Sequence, residues 1–389
     1  MNKSVTLLVT VATVCAAAWQ AASAPALPKP IHHKGTLLLI GGGLDDDNRP
    51  VYERFLTLAA AHGPARIVIA TAATGDQEQE AIARTEALRT WAPRVDIKVV
   101  RRETGTAETV AAIDRATAMF FTGGDQQRIT ARYRPHDTPT PEWEAMRRLL
   151  ARGGVIAGTS AGDAMMGEVM FFGGGSATAL GATPAPAVGP PREDDDEEDP
   201  AQLGPHVGPG MRFMPGAISD SHFFERDRIG RLVAALEASG RRLGIGVGED
   251  AAVELDLDSG ELRGVSVSES LLVDIKGLKR RDSVRTGIVA RLIAQGDRLK
   301  LADWPAHRNP VPAPSVEPMR VIPITEPGQN RQLAAWRMFR QARDPASPPM
   351  RQQLHGYTLT VYPAGSGDVA LEINTAPAAS AAPTATAAP

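Results

Sequence analysis

One serine in this sequence has the surroundings of a nucleophile. Ser160 stands in Gly158-Thr159-Ser160-Ala161-Gly162, after the apolar run 155–157 and before the helix-forming stretch 164–166. Gly-x-Ser-x-Gly at a strand-to-helix turn is typical of a nucleophile elbow, because residues without bulky side chains let the backbone pass closely. There the hydroxyl projects from the sheet edge, and a helix N-terminus stabilises developing negative charge. A plain turn is the alternative, since glycine-flanked serines occur there too.

A serine nucleophile needs a base, an orienting acid and oxyanion donors. Of the eight histidines, His222 is the candidate base, because it ends an apolar strand and opens a helix at the active edge of a sheet. The alternative is a helix-start histidine held by the following backbone. Glu249 follows the glycine-rich run 243–248 and is the candidate acid, with Asp250 as its competitor. The candidate oxyanion donors are the backbone N–H groups of Gly123, Gly124 and Ala161, although the glycines also fit a strand-ending turn.

Three further motifs allow a ligand but favour none. Gly41-Gly42-Gly43 follows a strand, but the dinucleotide pattern Gly-x-Gly-x-x-Gly fails at Asp46. The acids 45–47 could face a cationic substrate group, yet solvent is the favoured interpretation. The acidic run 192–199 lacks the ligand spacing and central glycine of a calcium-binding EF-hand loop. We therefore expect no cofactor and no metal.

Apolar runs alternate with helix-forming stretches between residues 36 and 170. Continuous apolar runs indicate strands buried on both faces of a parallel sheet. The alternation predicts an α/β fold, a doubly wound, mostly parallel sheet sandwiched by helices. Strands are expected at 36–40, 66–70, 95–100, 118–121 and 155–157, and helices at 51–61, 81–91, 109–116 and 141–152. Later expected elements are helices at 224–236 and 330–343 and short antiparallel strands at 253–257, 261–267, 271–275, within 285–300, and at 357–362.

Composition divides the chain into a leader, a body and a C-terminal part. Residues 1–24 combine Lys3, an apolar run and the small-residue pattern Ala22-Ser23-Ala24, which predicts a secretory signal peptide cleaved near Ala24. An uncleaved anchor is the alternative, although the run is short for a membrane span. The body, 34–300, contains an acidic segment, 173–210, whose glycines, alanines and prolines predict a mobile surface insertion. Residues 301–375 are a C-terminal extension, and 376–389 form a disordered Ala/Pro tail.

Charge and cysteine content exclude several classes of function. The net charge is −3, and segment 173–210 holds seven acids and one arginine, so the body is nearly neutral. Nucleic-acid binding would need a basic excess. The single cysteine, Cys15, belongs to the leader, so cleavage leaves no disulfide, thiol nucleophile or thiolate metal site. We expect no membrane span in the mature chain, and a homodimer is left open.

Four stretches together resemble the cyanophycinases, members of the serine peptidase group that also contains aspartyl dipeptidase. The resemblance covers roughly residues 35 to 300. It is carried by Phe121-Thr122-Gly123-Gly124-Asp125-Gln126, by Gly158–Gly162, by Asp220-Ser221-His222-Phe223 with Arg226, Arg228, Gly230 and Arg231, and by Gly244-Ile245-Gly246 with Glu249-Asp250. The family implies a fold like that of the class I glutamine amidotransferases and a Ser-His-Glu triad. It also implies exo-cleavage of cyanophycin, a poly-aspartate with arginine on each β-carboxyl, to β-Asp-Arg dipeptides.

The resemblance implies a role for each matching residue. Ser160 would be the nucleophile, His222 the base and Glu249 its orienting acid. The residues implied to bind substrate are Gln126, Asp220, Ser221, Arg226, Arg228 and Arg231. Arginines suit the substrate's carboxylates and an acid suits its arginine. The sequence departs from the family at Ser221, where glutamine is usual, at Asp163, where alanine is usual, and in its long acidic segment.

We therefore expect a secreted or periplasmic serine exopeptidase that acts on cyanophycin or a related β-aspartyl peptide. A peptidase of the same fold with another acidic or isoaspartyl substrate is one alternative. A catalytically silent polymer-binding protein is the other, and an intact set of Ser160, His222 and Glu249 argues against it.

Overall fold

The structure is a computed structural model that describes residues 35–182, 203–304, 332–354 and 356–375, with the strand backbone of 320–321. The elements up to residue 182 are β1 (Thr36–Ile40), α1 (Arg49–Ala59), β2 (Arg66–Ala70), α2 (Gln77–Trp91), β3 (Asp96–Val100), α3 (Thr106–Arg115), β4 (Ala118–Phe121), α4 (Gln126–Tyr133), a 3₁₀ turn (Pro135–Asp137), α5 (Pro141–Ala151), β5 (Val155–Thr159), α6 (Ala161–Ala164), β6 (Val169–Gly173) and α7 (Ser176–Ala179).

The elements after residue 203 are mostly strands. They are β7 (His206–Pro209), β8 (Ala217–Asp220), α8 (Ile229–Ser239), β9 (Leu243–Val247), β10 (Ala252–Asp256), β11 (Glu261–Gly264), β12 (Ser270–Asp274), β13 (Lys279–Arg281), β14 (Val284–Ile293), β15 (Arg298–Lys300), β16 (Arg320–Val321), α9 (Gln332–Ala342), β17 (Met350–Gln353), β18 (Thr358–Gly365) and β19 (Asp368–Asn374).

The first sheet confirms the expected doubly wound α/β architecture. Its strands lie in the order β15-β11-β10-β1-β5-β4-β2-β3, and the five from β1 to β3 in that order run parallel. Alternate residues of β1 enter two different cores. Leu38 packs with α1 and α2, and Leu39 packs with α3 and α5. Burial on both faces explains why these strands read as uninterrupted apolar runs. The antiparallel β10, β11 and β15 continue the sheet beyond β1.

A second, mainly antiparallel sheet carries the other half of the described chain. Its order is β16-β17-β18-β19-β14-β12-β9-β8, with β8 and β9 parallel. Helices α8 and α9 pack in its core through residues such as Leu232 and Phe339. Ile245 and Leu272 of this sheet share a core with the first sheet. The C-terminal extension therefore supplies one side of this sheet, since β19 pairs along β14.

Two sequence predictions need correction or narrowing, and the structure adds one helix. The expected helix at 224–236 begins only at Ile229, because left-handed backbone at His222 (φ 45°) and Asp227 (φ 47°) makes residues 222–228 a turn. The structure adds α4, which was not expected. Segment 173–210 is ordered at both ends: α7 is buried, and β7 pairs with β6. Only 183–202, with the acidic run, lies outside the described residues.

The leader and the C-terminal tail also lie outside the described residues, so the predictions for 1–24 and 376–389 stay predictions. Where the structure describes the chain, none of its helices has the length and apolar character that a membrane crossing requires.

Candidate active site

The nucleophile elbow forms where the sequence predicts it, at the carboxyl end of β5. Ser160 has φ 54° and ψ −111°, a conformation that a residue with a side chain adopts only under strain. Gly158 and Gly162 pass each other so closely that a Cβ on Gly158 would overlap the Gly162 carbonyl. After the elbow, α6 is a single turn of four residues. Stabilisation of negative charge at this position therefore depends on individual backbone amides rather than on the dipole of a long helix.

Ser160, His222 and Glu249 form a continuous hydrogen-bonded chain. The Ser160 Oγ lies 2.8 Å from the His222 Nε2, and the His222 Nδ1 lies 2.8 Å from the Glu249 Oε1. With the proton on Nδ1 donated to Glu249, Nε2 is left to accept the serine proton. The imidazole is 12% exposed and the glutamate 41% exposed, so the site opens to solvent on the acid's side.

Asp250, the competing acid, has other partners. Its Oδ1 accepts hydrogen bonds from the Asn48 side chain (2.7 Å) and the Asp45 backbone N–H (3.1 Å). Its backbone carbonyl accepts from Asn48 as well, at 2.9 Å. Asn48 in turn caps α1 by accepting from the Val51 N–H. Asp250 therefore fastens the loop after β9 to the start of α1, and Glu249 is the acid at the histidine.

The loop after β1 connects all three segments of the site, a role that sequence reasoning missed. Three successive carbonyls accept one amide from each segment: Ile40 from Ser160 at 2.9 Å, Gly41 from His222 at 2.7 Å, and Gly42 from Asp250 at 2.8 Å. A Cβ on Gly42 would overlap the imidazole of His222. Glycines directly after a buried strand are the sequence signal of such a close approach. This loop contacts the protein's own histidine.

Burial and neighbouring charges set the basicity of His222. Burial lowers the pKa of His222, and the nearby guanidinium groups of Arg226 and Arg228 lower it further. The hydrogen bond and negative charge of Glu249 act in the opposite direction. The net result is a pKa below the ordinary value, so the imidazole is neutral and able to accept a proton at neutral pH.

The candidate oxyanion donors lie around the serine. A Cβ on Gly123 would stand 3.3 Å from the Ser160 Cβ and 3.8 Å from its Oγ, so this glycine borders the space in front of the hydroxyl. The amide nitrogens of Gly123, Gly124 and Ala161 have no acceptor among the described residues. Gly124 has φ 127° and packs against the carbonyl of Ala73. Gln126 follows at the start of α4, where its side chain donates to the Phe171 carbonyl at 2.7 Å.

Four of the residues that the resemblance assigned to substrate binding are instead buried with one another. Asp220 has no exposed surface, and its carboxylate receives two hydrogen bonds from Arg231, at 2.6 and 2.8 Å. Arg228 approaches Asp220 at 3.4 Å and donates to the Ser221 carbonyl at 2.7 Å. These arginines are 5% and 3% exposed, and Ser221 is also buried. The structure contradicts a pocket lined by these residues, because a buried carboxylate needs its guanidinium partners for itself. Arg226, half-buried near His222, is the member of the set left close to the site.

Asp163, the unusual residue beside the elbow, points into the interior. It is fully buried, and its Oδ1 accepts a hydrogen bond from the Ser219 hydroxyl at 2.6 Å. Burial raises the pKa of Asp163 well above its ordinary value, which favours the neutral acid. Its contact joins α6 to β8 and not to the space before the serine.

Glu225 contacts Glu249, and this is a second role that sequence reasoning missed. Its carboxylate accepts the backbone N–H of Glu249 at 3.0 Å, and burial raises the pKa of Glu225. No motif distinguishes it from an ordinary helix-start acid. Within the part of the chain that the structure describes, no group of His, Cys, Asp and Glu could hold a metal ion.

Comparison with known proteins identifies a family and several relatives of this chain. The model of peptidase family S51 matches residues 37–178, which include the elbow. A cyanophycinase from Nostoc sp. is 30% identical over 280 residues, covering 70% of this chain and 84% of the relative. One from Synechococcus elongatus is 30% identical over 249 residues, covering 62% of this chain and 69% of the relative.

Two solved structures are also similar. A peptidase from an acI-B1 Actinobacterium superposes with a TM-score of 0.48 and 18% identity, covering 69% of this chain and 98% of the other. A putative peptidase E from Listeria monocytogenes gives 0.37 and 12%, covering 60% and 99%.

Proposed function

The chain belongs to peptidase family S51, and we propose that it is a secreted serine exopeptidase that hydrolyses cyanophycin to β-Asp-Arg dipeptides. The observation that carries the proposal is the hydrogen-bonded chain from Ser160 through His222 to Glu249. The cyanophycinases among its relatives support the substrate.

In the proposed mechanism, the Ser160 Oγ attacks the scissile carbonyl while His222 Nε2 takes its proton. The tetrahedral oxyanion is stabilised by the amides of Gly123 and Ala161, whose hydrogens are free to donate within the described structure. His222 then gives the proton to the leaving amine, and an acyl-enzyme remains on Ser160. Water, deprotonated by His222, hydrolyses that ester and restores the serine. Glu249 keeps the proton of the imidazole on Nδ1 and stabilises the imidazolium.

The charges around the site suit a substrate with alternating arginine and carboxylate groups. Asp45 and Asp47 are exposed on the loop that also holds His222 and Asp250, where they could bind guanidinium groups. Arg226 is close enough to the imidazole to lower its pKa, so it can also attract a carboxylate to the site. These three residues take over the pocket role that the buried Asp220, Arg228 and Arg231 cannot fill.

The secreted location is proposed from the leader alone. An exported enzyme suits an insoluble polymer that cannot enter a cell. N-terminal sequencing of exported protein should find a mature terminus between Ala24 and Ala26, and a product that retains Met1 would contradict it.

The decisive test is incubation of purified protein with cyanophycin and analysis of the products by mass spectrometry. We expect β-Asp-Arg dipeptides, released from chain ends without intermediate-sized fragments. Ser160→Ala and His222→Ala should each abolish turnover, since members of a triad act as one unit. Glu249→Gln should lose no more than these, because its task is to orient the imidazole.

Ser239→Ala is the matched control. This serine is the last residue of α8, at the opposite end of the helix from the turn that contains His222. It should keep wild-type turnover. Wild-type turnover in Ser160→Ala would overturn the serine mechanism. Cleavage of isoaspartyl dipeptides but not of cyanophycin would leave the mechanism and replace the substrate.

A further inference from the structure

The C-terminal extension reaches the turn that carries His222. This turn, residues 222–228, is called the base turn below. Tyr357, between β17 and β18, is completely buried and donates its hydroxyl to the Asp227 Oδ1 at 2.6 Å. Asp227 has left-handed backbone, φ 47°, and its carbonyl accepts from the Ser176 hydroxyl. The tyrosine therefore holds the base turn near its C-terminal end, at one of its two residues with left-handed backbone.

Helix α9 packs against the middle of the base turn. The ring of Phe339 lies 6.3 Å from that of Phe224, two residues after His222. Phe224 in turn stands next to Phe223, with ring centroids 5.4 Å apart. A Cβ on Gly248 would lie 3.4 Å from the Phe224 ring, so this aromatic cluster also borders the residue before Glu249.

The same helix, with Arg343 just after it, reaches the loop that carries Glu249 through Glu269. The Trp336 Nε1–H donates to the Glu269 Oε2 at 2.7 Å, and Arg340 and Arg343 lie 3.6 and 3.7 Å from its carboxylate. The carbonyl of Glu269 lies 3.0 Å from the position of a Cβ on Gly248, and the preceding residue, Ser268, pairs with Ala251. Helix α9 thus supports the loop 248–251 that presents Glu249.

We infer that residues 332–375 are a positioning element of the active site, with Tyr357 and Trp336 as the residues through which they hold the base and the acid. The inference rests on the proposed function in that His222 and Glu249 are taken as base and acid. Both come from the second sheet, which the extension completes, whereas Ser160 comes from the first. Supports on that side fix the imidazole relative to the hydroxyl, and a misplacement of about 1 Å can cost roughly a hundredfold in rate.

The test compares two hydroxyl deletions in the same extension. Tyr357→Phe removes the bond to the base turn, and Tyr362→Phe, the matched control, removes a hydroxyl from β18. A second variant, Trp336→Phe, keeps an aromatic ring but removes the donor to Glu269. We expect kcat to fall about tenfold in Tyr357→Phe and Trp336→Phe, with KM within about twofold and melting temperatures close to the wild type. Tyr362→Phe should keep its kcat.

Two measurements that need no substrate separate this inference from the proposed function. One is the rate at which a fluorophosphonate labels Ser160, and the other is the pKa of His222 by NMR, assigned with His222→Ala. If wild-type enzyme is labelled but leaves cyanophycin intact, the substrate proposal fails. Slower labelling and a shifted His222 pKa in Tyr357→Phe and Trp336→Phe would then still support the positioning role.

The inference is overturned, whatever the substrate, if Tyr357→Phe and Trp336→Phe show the same labelling rate and the same His222 pKa as the control, Tyr362→Phe. If Tyr357→Phe does not fold, Trp336→Phe decides by the same criteria.

Discussion

At the scale of single residues, the proposed mechanism makes the pH range of activity depend on the charges next to His222. His222 must be neutral to accept the serine proton, so activity is full above its pKa and is lost as the pH falls through it. Because burial and Arg226 lower that pKa, the wild-type profile of kcat/KM should keep its acid limb below the ordinary value of about 6.5.

Arg226→Gln should move this acid limb to higher pH, because it removes a positive charge that disfavours the imidazolium. The measurement is kcat/KM across pH 4 to 9 at low and high salt, with the shift smaller at high salt. Arg89→Gln, an exposed arginine on α2, is the matched control and should leave the limb in place. A limb that does not move would mean that Arg226 acts on substrate alone.

We expect the buried pair of Asp220 and Arg231 to stabilise the fold rather than to determine substrate specificity. Arg231→Ala removes two short hydrogen bonds from a buried carboxylate and leaves Arg228 at 3.4 Å as its remaining guanidinium partner. Breaking a buried ion pair typically costs about 3–5 kcal/mol. The melting temperature should fall sharply. Arg298→Ala is the control: its pair with Glu261 is exposed, and such pairs contribute about 1 kcal/mol or less. A raised KM at unchanged melting temperature would return Arg231 to the substrate pocket.

Sequence motifs pointed to the three residues that form the hydrogen-bonded chain, and they failed for the charged residues around it. Ser160, His222 and Glu249 come together, because each follows the carboxyl end of a strand. The strands belong to two sheets, β5 to the first and β8 and β9 to the second, and not to the single sheet edge that the sequence predicted. Asp220 and Arg231 could not be assigned by residue type, since the same charges serve a substrate or each other. Only their burial in the fold distinguishes the two uses.

At the scale of elements, buried parallel strands are the best predicted part. The bounds of β1, β2 and β4 agree with the apolar runs, because residues buried on both faces leave no polar alternation to blur the ends. The base turn was mistaken for helix, since the tertiary bond from the His222 N–H to the Gly41 carbonyl decides its backbone. Local propensity carries no information about such a partner 181 residues away in the sequence.

Gly42→Ala should damage the site through the element that frames it. The new methyl group would overlap the His222 imidazole at a backbone φ of 97°, so the base must move. We expect kcat to fall about a hundredfold. Gly296→Ala is the matched control, with φ 85° and nothing within 4 Å of the added methyl. It incurs similar backbone strain and should lose stability but not kcat. Equal kcat values in the two variants would contradict a steric role for Gly42.

At the scale of the whole molecule, the acidic segment 173–210 consists of two parts. The framework is its two ends, which contact the rest of the fold, and the middle is residues 183–202. The framework includes the Arg231 bond to the Gly174 carbonyl, the Ser176 bond to Asp227 and the buried Leu180. Replacing 183–202 with a short Gly/Ser linker leaves these contacts in place and should shift the melting temperature by only a few degrees. Replacing all of 173–210 should destabilise the fold and slow turnover, because it frees the base turn. Thermal unfolding and steady-state kinetics of both chains measure this, and equal stability would contradict the division.

The carbonyls of the last residue of β1 and of the two residues after it have a consequence for the order of folding. Ile40, Gly41 and Gly42 wait for amides that follow about 120 to 210 residues later in the chain, so no early-folding fragment can contain a competent site. Contacts of such sequence separation form slowly, because loop closure must precede them. During synthesis the enzyme is therefore inert until the chain has passed Asp250. During refolding, recovered hydrolysis should lag behind recovered helix signal, so that activity reports the last tertiary closure and not the first.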